Sequence, residues 1–150
     1  MREVVTADEM KALDHNTIQK AGLPSLVLME RAALKTVEEI MQRLKDRGKE
    51  KILVVCGTGN NGGDGLAIAR LLHLQGIRTW YYVAGKEERM TAETAGQLRT
   101  AEYYQVPRVH NLKPDEYTTI VDAIFGVGLS RPVEGKYAEL ISTMNRASAY

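Results

Sequence analysis

The sequence has few of the residues that mark specialised classes of protein. It contains one cysteine, Cys56, which cannot form an internal disulfide and fits a reducing compartment. Its 20 Lys and Arg residues are balanced by 19 Asp and Glu residues, for a formal net charge of +1. That balance provides no basic field for nucleic acid or for an anionic membrane surface. We therefore expect neither of them as a partner.

Long apolar segments are also missing. The longest fully apolar run, Ile52 to Cys56, has the length of a strand and is far too short to span a bilayer. The opening residues Met1-Arg2-Glu3 lead into a charged stretch without the apolar segment of a signal peptide. We expect a cytoplasmic protein. Cys56 lies inside the apolar run, so we expect a small buried hydrophobe rather than a nucleophile.

The composition is that of one ordinary globular domain. Hydrophobic residues make up 44% of the sequence and charged residues 26%, which excludes disordered and fibrous classes. The length of 150 residues suits one domain, and no repeat, linker or low-complexity segment divides it. We predict a single domain over residues 1–150.

Two helices are predicted in the first third of the chain. Thr6-Ala7-Asp8-Glu9 has the pattern of a capping box, and apolar residues follow at helical spacing until Gly22 and Pro24. The apolar residues at helical spacing are Met10, Leu13, Ile18 and Ala21. Ser25 is expected to cap a longer helix that ends near Gly48.

Strands and helices alternate over the rest of the chain. The strands predicted are Lys51 to Gly57, Thr79 to Ala84 and Thr118 to Phe125, with Val106 to His110 as a short candidate strand. This alternation predicts an α/β fold with a mostly parallel sheet. In the strand order 3-2-1-4, the strands at 51–57 and 118–125 are neighbours. Their carboxyl ends then form the crevice in which such folds bind ligands.

A glycine-rich loop is predicted after the first strand. Residues 57–62 match the G-x-G-x-x-G pattern of phosphate-binding loops, which alone is a weak signal. Asp64, at the start of the next helix, would repel a phosphate, and the strand ending Val83-Ala84 has no carboxylate at its tip for a ribose. Both features disfavour a nicotinamide oxidoreductase. The glycines of the run 59–65 allow positive φ and close backbone approach, and its Asn residues add amide oxygens.

A bland interpretation of the same run stays open. In it, Asn60 and Asn61 only tolerate a left-handed turn, and Asp64 only favours the helix dipole in its ionised form.

Asp122 interrupts the apolar strand 118–125 and needs a partner if it is buried there. If it faces the crevice, Asp122 and the Asn61 amide oxygen converge on one hard cation. The alternative is an aspartate that accepts backbone N–H groups and fixes the loop. The following loop, 126–132, contains Arg131. Its planar guanidinium either binds a phosphate through two N–H groups or is exposed to solvent.

Three segments together resemble the NAD(P)HX epimerase family, the YjeF-type N-terminal domain. They are GTGNNGGDGLAIAR (57–70), DAIFGVGLSRPVEG (122–135) and GLPSLVLMERAA (22–33). The resemblance implies a Rossmann-like three-layer sandwich, commonly a homodimer. It also implies an isomerase of nicotinamide-nucleotide repair, which epimerises the R form of hydrated NADH or NADPH (NADHX or NADPHX) to the S form. A potassium ion is the implied cofactor, and a fused or separate NAD(P)HX dehydratase is an implied partner.

The resemblance also implies site residues by motif position. Asn61 and Asp122 would bind potassium. The implied substrate contacts are Asn60, Asn61, Gly62, Gly63, Asp64, Gly126, Val127, Gly128, Leu129, Ser130, Arg131 and Pro132. The family continues into a further strand that ends in an aspartate, the expected general acid/base, and a Pro-Ser-Gly turn. This sequence stops at Tyr150, so we expect a truncated form whose catalytic residue lies beyond Tyr150 and which alone does not epimerise measurably.

One alternative function stays open beside the epimerase. A non-catalytic nucleotide-binding or scaffold module on the same fold would also suit a chain without the expected aspartate.

Overall fold

The computed structural model describes residues 4–150. Met1, Arg2 and Glu3, which bear on the expected lack of a signal peptide, lie outside the described residues. Two short 3₁₀ helices, Glu87–Arg89 and Pro114–Glu116, lie in connections. The main elements in chain order are α1 (Ala7–Gln19), α2 (Ser25–Arg43), β1 (Lys51–Cys56), α3 (Asn60–Leu74), β2 (Arg78–Val83), α4 (Ala92–Tyr103), β3 (Thr119–Ala123) and α5 (Gly135–Asn145).

Three parallel strands form the sheet, in the order β2-β1-β3. Ile52 of β1 pairs with Thr79 of β2 and with Thr119 of β3, which fixes the register on both sides. Every residue of β1 after Lys51 is buried, as expected for a central parallel strand covered on both faces. The predicted α/β fold with a parallel sheet is confirmed.

Helices cover both faces of the sheet, so the fold has three layers. Helices α2, α3 and α4 lie on one face, and α5 lies on the other together with the connection before β3. The first core includes Val37, Ile52, Val54, Leu66, Leu72 and Leu98, and the second includes Leu53, Val55, Ile124 and Met144. Alternate residues of β1 thus point into different cores, and the expected Rossmann-like three-layer sandwich is confirmed.

The candidate strand at 106–110 lies where the order 3-2-1-4 places it, beside β2, but it forms only one bridge. Tyr81 N–H donates to Pro107 O at 3.0 Å, and Val109 N–H donates to Tyr81 O at 2.9 Å. The segment is short because it lies between a turn and a bend. Gln105, in the turn before it, has a φ of 56°, and the chain bends at His110. Pro107, which has no N–H, suits an outer edge of the sheet.

The outer edge of β3 carries the last residue of the sequence. Tyr150 N–H donates to Thr118 O at 2.9 Å, and Ile120 N–H donates to Tyr150 O at 2.8 Å. Two such bonds to residues on either side of Thr119 are the pattern of a parallel pair. Among residues 4–150, no strand lies beside β3 on this side, so Asp122 lies on an edge strand.

The predicted helix α1 and its capping box are confirmed, and the apolar residues of the helix are not buried. Thr6 N–H donates to the Glu9 carboxylate at 2.7 Å, and Glu9 N–H donates to Thr6 Oγ1 at 3.3 Å. No residue of α1 is buried, and the side chains of Met10 and Leu13 are 42% and 52% exposed. The reason is that α2, α3 and α4 already cover that face of the sheet.

Helix α2 begins and ends differently from the prediction. Pro24 is its N-cap, and Ser25 is the first helical residue. The Ser25 hydroxyl instead donates to Glu93 at the start of α4, at 2.8 Å, and so joins the two helices. The helix ends at Arg43, before Gly48, because Leu44 turns to an extended conformation.

Cys56 has the structural role predicted for it. Its side chain is fully buried at the end of β1, and that burial raises the pKa of the thiol far above its ordinary value. A thiol that stays protonated is a poor nucleophile.

Candidate active site

A cleft lies at the carboxyl ends of β1 and β3. The two strand ends meet there, since Gly57 N–H donates to Ala123 O at 2.9 Å. The cleft has a volume of about 810 Å³. The residues that line it are Lys11, Asp14, Gly57, Thr58, Gly59, Asn60, Asn61, Asp64, Thr91, Ile124, Phe125, Gly126, Val127, Gly128, Leu129, Ser130, Arg131 and Tyr137. The two motif-bearing segments therefore lie together, at the switch point of the sheet.

The glycine-rich segment after β1 is helical from Asn60 onward rather than a loop. Gly59 is the N-cap of α3, and the N–H groups of Gly62 and Gly63 donate to its carbonyl oxygen. Among residues 4–150, positive φ occurs only at Gly22, Gly76, Gly85, Gly135 and Gln105. The alternative in which Asn60 and Asn61 only tolerate a left-handed turn is therefore wrong.

Close packing explains the glycines of this segment. A Cβ added to Gly62 would lie 1.9 Å from the Gly57 carbonyl oxygen. A Cβ on Gly65 would lie 2.5 Å from Ala123 Cβ. The first turns of α3 therefore press directly on the strand ends. Gly62 and Gly63 donate their N–H groups to Gly59 O, so the free donors that this packing brings to the cleft are the N–H groups of Asn60 and Asn61.

Asn61 joins α3 to the segment after β3. Its side-chain NH₂ donates to Phe125 O at 3.0 Å. Gly126 packs against the same side chain, since a Cβ at Gly126 would lie 3.1 Å from Asn61 Cβ. The amide oxygen of Asn61 accepts no hydrogen bond from residues 4–150, which leaves it available to a ligand.

Asp122 is exposed and does not line the cleft, so the expected buried carboxylate facing the crevice is wrong. The strand lies at the sheet edge, and Asp122 points to the same face as Ile120 and Ile124, toward α5. One carboxylate oxygen accepts the Ile124 N–H at 3.0 Å. The alternative of an aspartate that fixes the loop is what the geometry shows.

The donor chemistry of Asn61 and Asp122 fits a monovalent cation, although only Asn61 lines the cleft. Asp122 has a second carboxylate oxygen without a hydrogen bond and forms no ion pair within residues 4–150. One carboxylate and one neutral amide oxygen carry a single negative charge, and hard cations prefer such oxygen ligands. No cluster of three or more His, Cys, Asp or Glu side chains suited to a metal occurs in the described part of the chain.

Most of the implied substrate contacts line the cleft, and three do not. Gly62 and Gly63 are buried beneath its floor. Pro132 lines a neighbouring cavity of about 220 Å³, which shares Phe125, Leu129, Arg131 and Tyr137 with the cleft. On the rim of the cleft, Val127 and Leu129 expose apolar side chains, by 61% and 46% respectively.

Asp64 lines the cleft from the second turn of α3, and its carboxylate has no hydrogen bond or ion pair within residues 4–150. Burial raises its pKa to about 6, with a further raising effect from the negative charge of Asp14. The expectation that the helix dipole favours its ionised form is wrong. Because α3 begins at Asn60, Asp64 lies beyond the first turn, where the effect of the dipole has faded.

Four further cleft residues were not predicted from the sequence. Thr91 caps α4 and donates its N–H to Thr58 O at 3.1 Å, and Tyr137 donates its hydroxyl to Ala84 O at 3.3 Å. Both lie at helix starts that follow strands, a position that sequence signals do indicate. Lys11 and Asp14 come from α1, and no local pattern indicates where that helix packs.

Comparison with known proteins decides the family. The family model described as "YjeF-related protein N-terminus" matches residues 25–150, which include both cleft segments. The chain belongs to this YjeF family. The NAD(P)H-hydrate epimerase of Limosilactobacillus reuteri is 45% identical over 148 residues, which are 98% of this chain and 69% of that protein. The NAD(P)H-hydrate epimerase of Lentilactobacillus buchneri is 43% identical over 150 residues, again covering 69% of that protein.

A solved member of the YjeF fold has the same architecture. The crystal structure of the yeast protein YNL200c superposes with a TM-score of 0.85 at 27% identity, covering 97% of this chain and 68% of that one. The YjeF chain described here thus spans about two-thirds of the length of these relatives. Its family match begins at Ser25, so α1 precedes the matched residues.

Proposed function

We propose that the protein is an NAD(P)H-hydrate epimerase, which converts the R form of NADHX or NADPHX to the S form. The observation that carries this proposal is the cleft itself, because both family-specific segments line it at the switch point of the sheet. Relatives that bear this name are 43 to 45% identical over nearly the whole chain.

The cleft suits a dinucleotide in size and in charge. Its volume of about 810 Å³ lies in the range of small-molecule sites. Because Asp64 lies in the second turn of α3 and not at its first residue, the free N–H groups of the first turn are the proposed contacts of the pyrophosphate, with the Arg131 guanidinium as a further proposed contact. Val127 and Leu129 provide apolar contacts for a ring. As substrate contacts we propose those residues implied by the family resemblance that line the cleft, which are Asn60, Asn61, Asp64 and residues 126–131.

A potassium ion is the proposed cofactor, with Asn61 and Asp122 as its ligands. The free amide oxygen of Asn61, which lines the cleft, supports this assignment, whereas Asp122 is a ligand only by the family resemblance because it lies outside the cleft. A bound cation supplies positive charge that offsets the phosphates of the substrate.

Epimerisation needs a proton donor and a proton acceptor at the hydrated ring carbon. The family resemblance assigns one such group to an aspartate beyond Tyr150, and we keep that assignment as a proposal. Homodimerisation, a fused or separate dehydratase and a cytoplasmic location are proposals of the same origin. No helix within residues 4–150 combines the length and apolarity needed to cross a bilayer.

The test follows the two epimers by chromatography after addition of the purified R form. The protein is assayed as this chain and as an extended version, which adds the segment of the relatives that this chain does not cover. Interconversion by the extended version above the spontaneous rate supports the proposal. Binding without interconversion in both versions points to the scaffold alternative and contradicts it. Hydride transfer to an added acceptor from NADH would instead indicate an oxidoreductase.

A further inference from the structure

Two carboxylates line the cleft. Asp64 is half-buried in the second turn of α3, and Asp14 belongs to α1. The electrostatic coupling between them raises the proton affinity of Asp64 beyond what burial alone produces. Neither carboxylate is paired with a cation in the described part of the chain. A carboxyl group that lines a ligand cleft without a partner, and whose pKa is about 6, can both donate and accept a proton near neutral pH. It is therefore suited to proton transfer.

We propose that Asp64 is a catalytic proton-transfer residue of the cleft and that Asp14, which lines the same cleft, is a positioning residue that acts through Asp64. This inference rests on the proposed epimerase function. It adds a proton donor within residues 4–150 to the aspartate expected beyond Tyr150.

The reaction assigns a definite step to Asp64. The protonated Asp64 carboxyl donates its proton to the hydroxyl on the hydrated ring carbon, the C–O bond breaks with its electron pair on oxygen, and water leaves. The lone pair of the ring nitrogen stabilises the resulting cation. Water then adds to the opposite face of that carbon and releases one proton to a carboxylate. One proton is donated and one is recovered, so no further reactant is needed.

Water leaves one face of the ring carbon and returns to the opposite face. One carboxyl group on each face can therefore handle the two proton transfers. Asp64 supplies the donor, and the second aspartate receives the proton on the other face.

Other charged groups around the cleft leave this assignment intact. Lys11 lies on α1 with Asp14, Arg131 lies on the segment after β3, and Tyr137 lies on α5. Lys11 is directed toward Asp8, with 3.9 Å between Nζ and Oδ1. The Tyr137 hydroxyl is bonded to Ala84 O. Asp14 is thus the charge that acts on Asp64 in the absence of substrate.

The first test needs no turnover. Carbon-detected NMR of the side-chain carboxyl groups of this chain measures the titration of Asp64 directly. We expect its midpoint near pH 6, and Asp14→Asn should move it to lower pH because a repelling negative charge is removed. Asp115→Asn is the matched control, since Asp115 is exposed and does not line the cleft. It should leave the midpoint unchanged.

The second test uses the epimerisation rate of the extended version. Asp64→Asn should lower kcat by about a hundred- to ten-thousand-fold, the usual contribution of a placed acid. Asp64→Glu should restore part of that loss. In the wild type, kcat/KM should fall as pH rises above about 6, and Asp14→Asn should shift this fall to lower pH.

The outcomes separate this inference from the proposed function. An extended wild type without interconversion contradicts the epimerase itself, and the NMR titration then still tests the carboxyl pair. An active wild type whose Asp64→Asn variant keeps its full rate overturns the role of Asp64. A midpoint of Asp64 at the ordinary value, or one that Asp14→Asn does not move, overturns the role of Asp14.

Discussion

The side-chain amide of Asn61 donates a hydrogen bond of 3.0 Å to the carbonyl oxygen of Phe125. This bond joins the first turn of α3 to the segment that follows β3, and it holds together the two walls of the cleft. It also leaves the amide oxygen of Asn61 free, so one side chain serves both the fold and the site.

Loss of this bond should weaken the protein and its binding of substrate together. We expect Asn61→Ala to lower the free energy of unfolding by about 1 kcal/mol, the usual net value of one hydrogen bond. Urea unfolding and NADPHX binding by calorimetry measure the two effects. Asn60→Ala is the matched control, because the Asn60 side chain lines the cleft without any such bond. Equal stability of the two variants would contradict the structural role of Asn61.

The glycines of α3 should tolerate no side chain. In Gly62→Ala the new methyl group would lie 1.9 Å from a backbone oxygen, which cannot move aside as a side chain can. We expect a loss of about 3 kcal/mol or more in the free energy of unfolding, the upper range for overpacking.

A second glycine offers a control for helix propensity. A Cβ on Gly96 of α4 would find no atom closer than 3.8 Å. Gly96→Ala should therefore stabilise the protein by about 0.5–1 kcal/mol, because alanine is the better helix former. Thermal unfolding of both variants checks the pair. A Gly62→Ala variant as stable as Gly96→Ala would show that α3 does not pack as described.

Ionisation of Asp64 should cost stability as pH rises from the unfolded pKa to about 6. The pKa of Asp64 is raised to about 6 in the folded protein, and the unfolded chain has the lower, ordinary value. The stabilising effect of the bound proton is complete below the unfolded pKa and is lost as pH rises through the folded pKa. Asp64→Asn, which stays neutral, should match the wild type near pH 3 and exceed its stability increasingly from pH 4 to 6. Urea unfolding at a series of pH values tests this, and a constant difference would contradict it.

Asp122 allows the two roles considered for it to be separated. Asp122→Asn keeps an oxygen for the Ile124 N–H but removes the charge, whereas Asp122→Ala removes both. We expect Asp122→Ala to lose about 1 kcal/mol of stability and Asp122→Asn to lose little. Both should abolish any preference for potassium over sodium in NADPHX binding by the extended version. Equal affinity in the two salts for the wild type would contradict the cation site.

The 150-residue chain should bind a nicotinamide nucleotide weakly and should not epimerise NADPHX measurably, because the second proton-carrying group is expected beyond Tyr150. The extended version should be faster by about a hundred-fold or more, the contribution of a placed acid or base. Chromatography of the epimers compares the two at equal concentration. Rapid turnover by the shorter chain would show that residues up to Tyr150 suffice.

The sequence predicts the elements of this fold well because its signals are local. The apolar run ending at Cys56 and the glycines that follow indicate a strand and a close strand–helix contact, and both are found. The conformation of those glycines was misjudged, since close packing and positive φ favour glycine equally.

The remaining errors concern contacts between distant parts of the chain. Nothing near Asp64 in the sequence shows that Asp14 of α1 lines the same cleft. The packing of α1 is also decided by distant parts of the chain. The helical spacing of Met10 and Leu13 does not show which other helices or strands α1 contacts.

The absence of any buried residue in α1 has a consequence for how the cleft opens. A helix held by so little apolar surface can detach locally at a free-energy cost well below that of global unfolding. Its backbone amides should therefore exchange with deuterium much faster than those of α3, whose residues from Leu66 to Arg70 are all buried. Since Lys11 and Asp14 leave with the helix, each opening exposes the cleft to entering nucleotide while the sheet behind it stays intact.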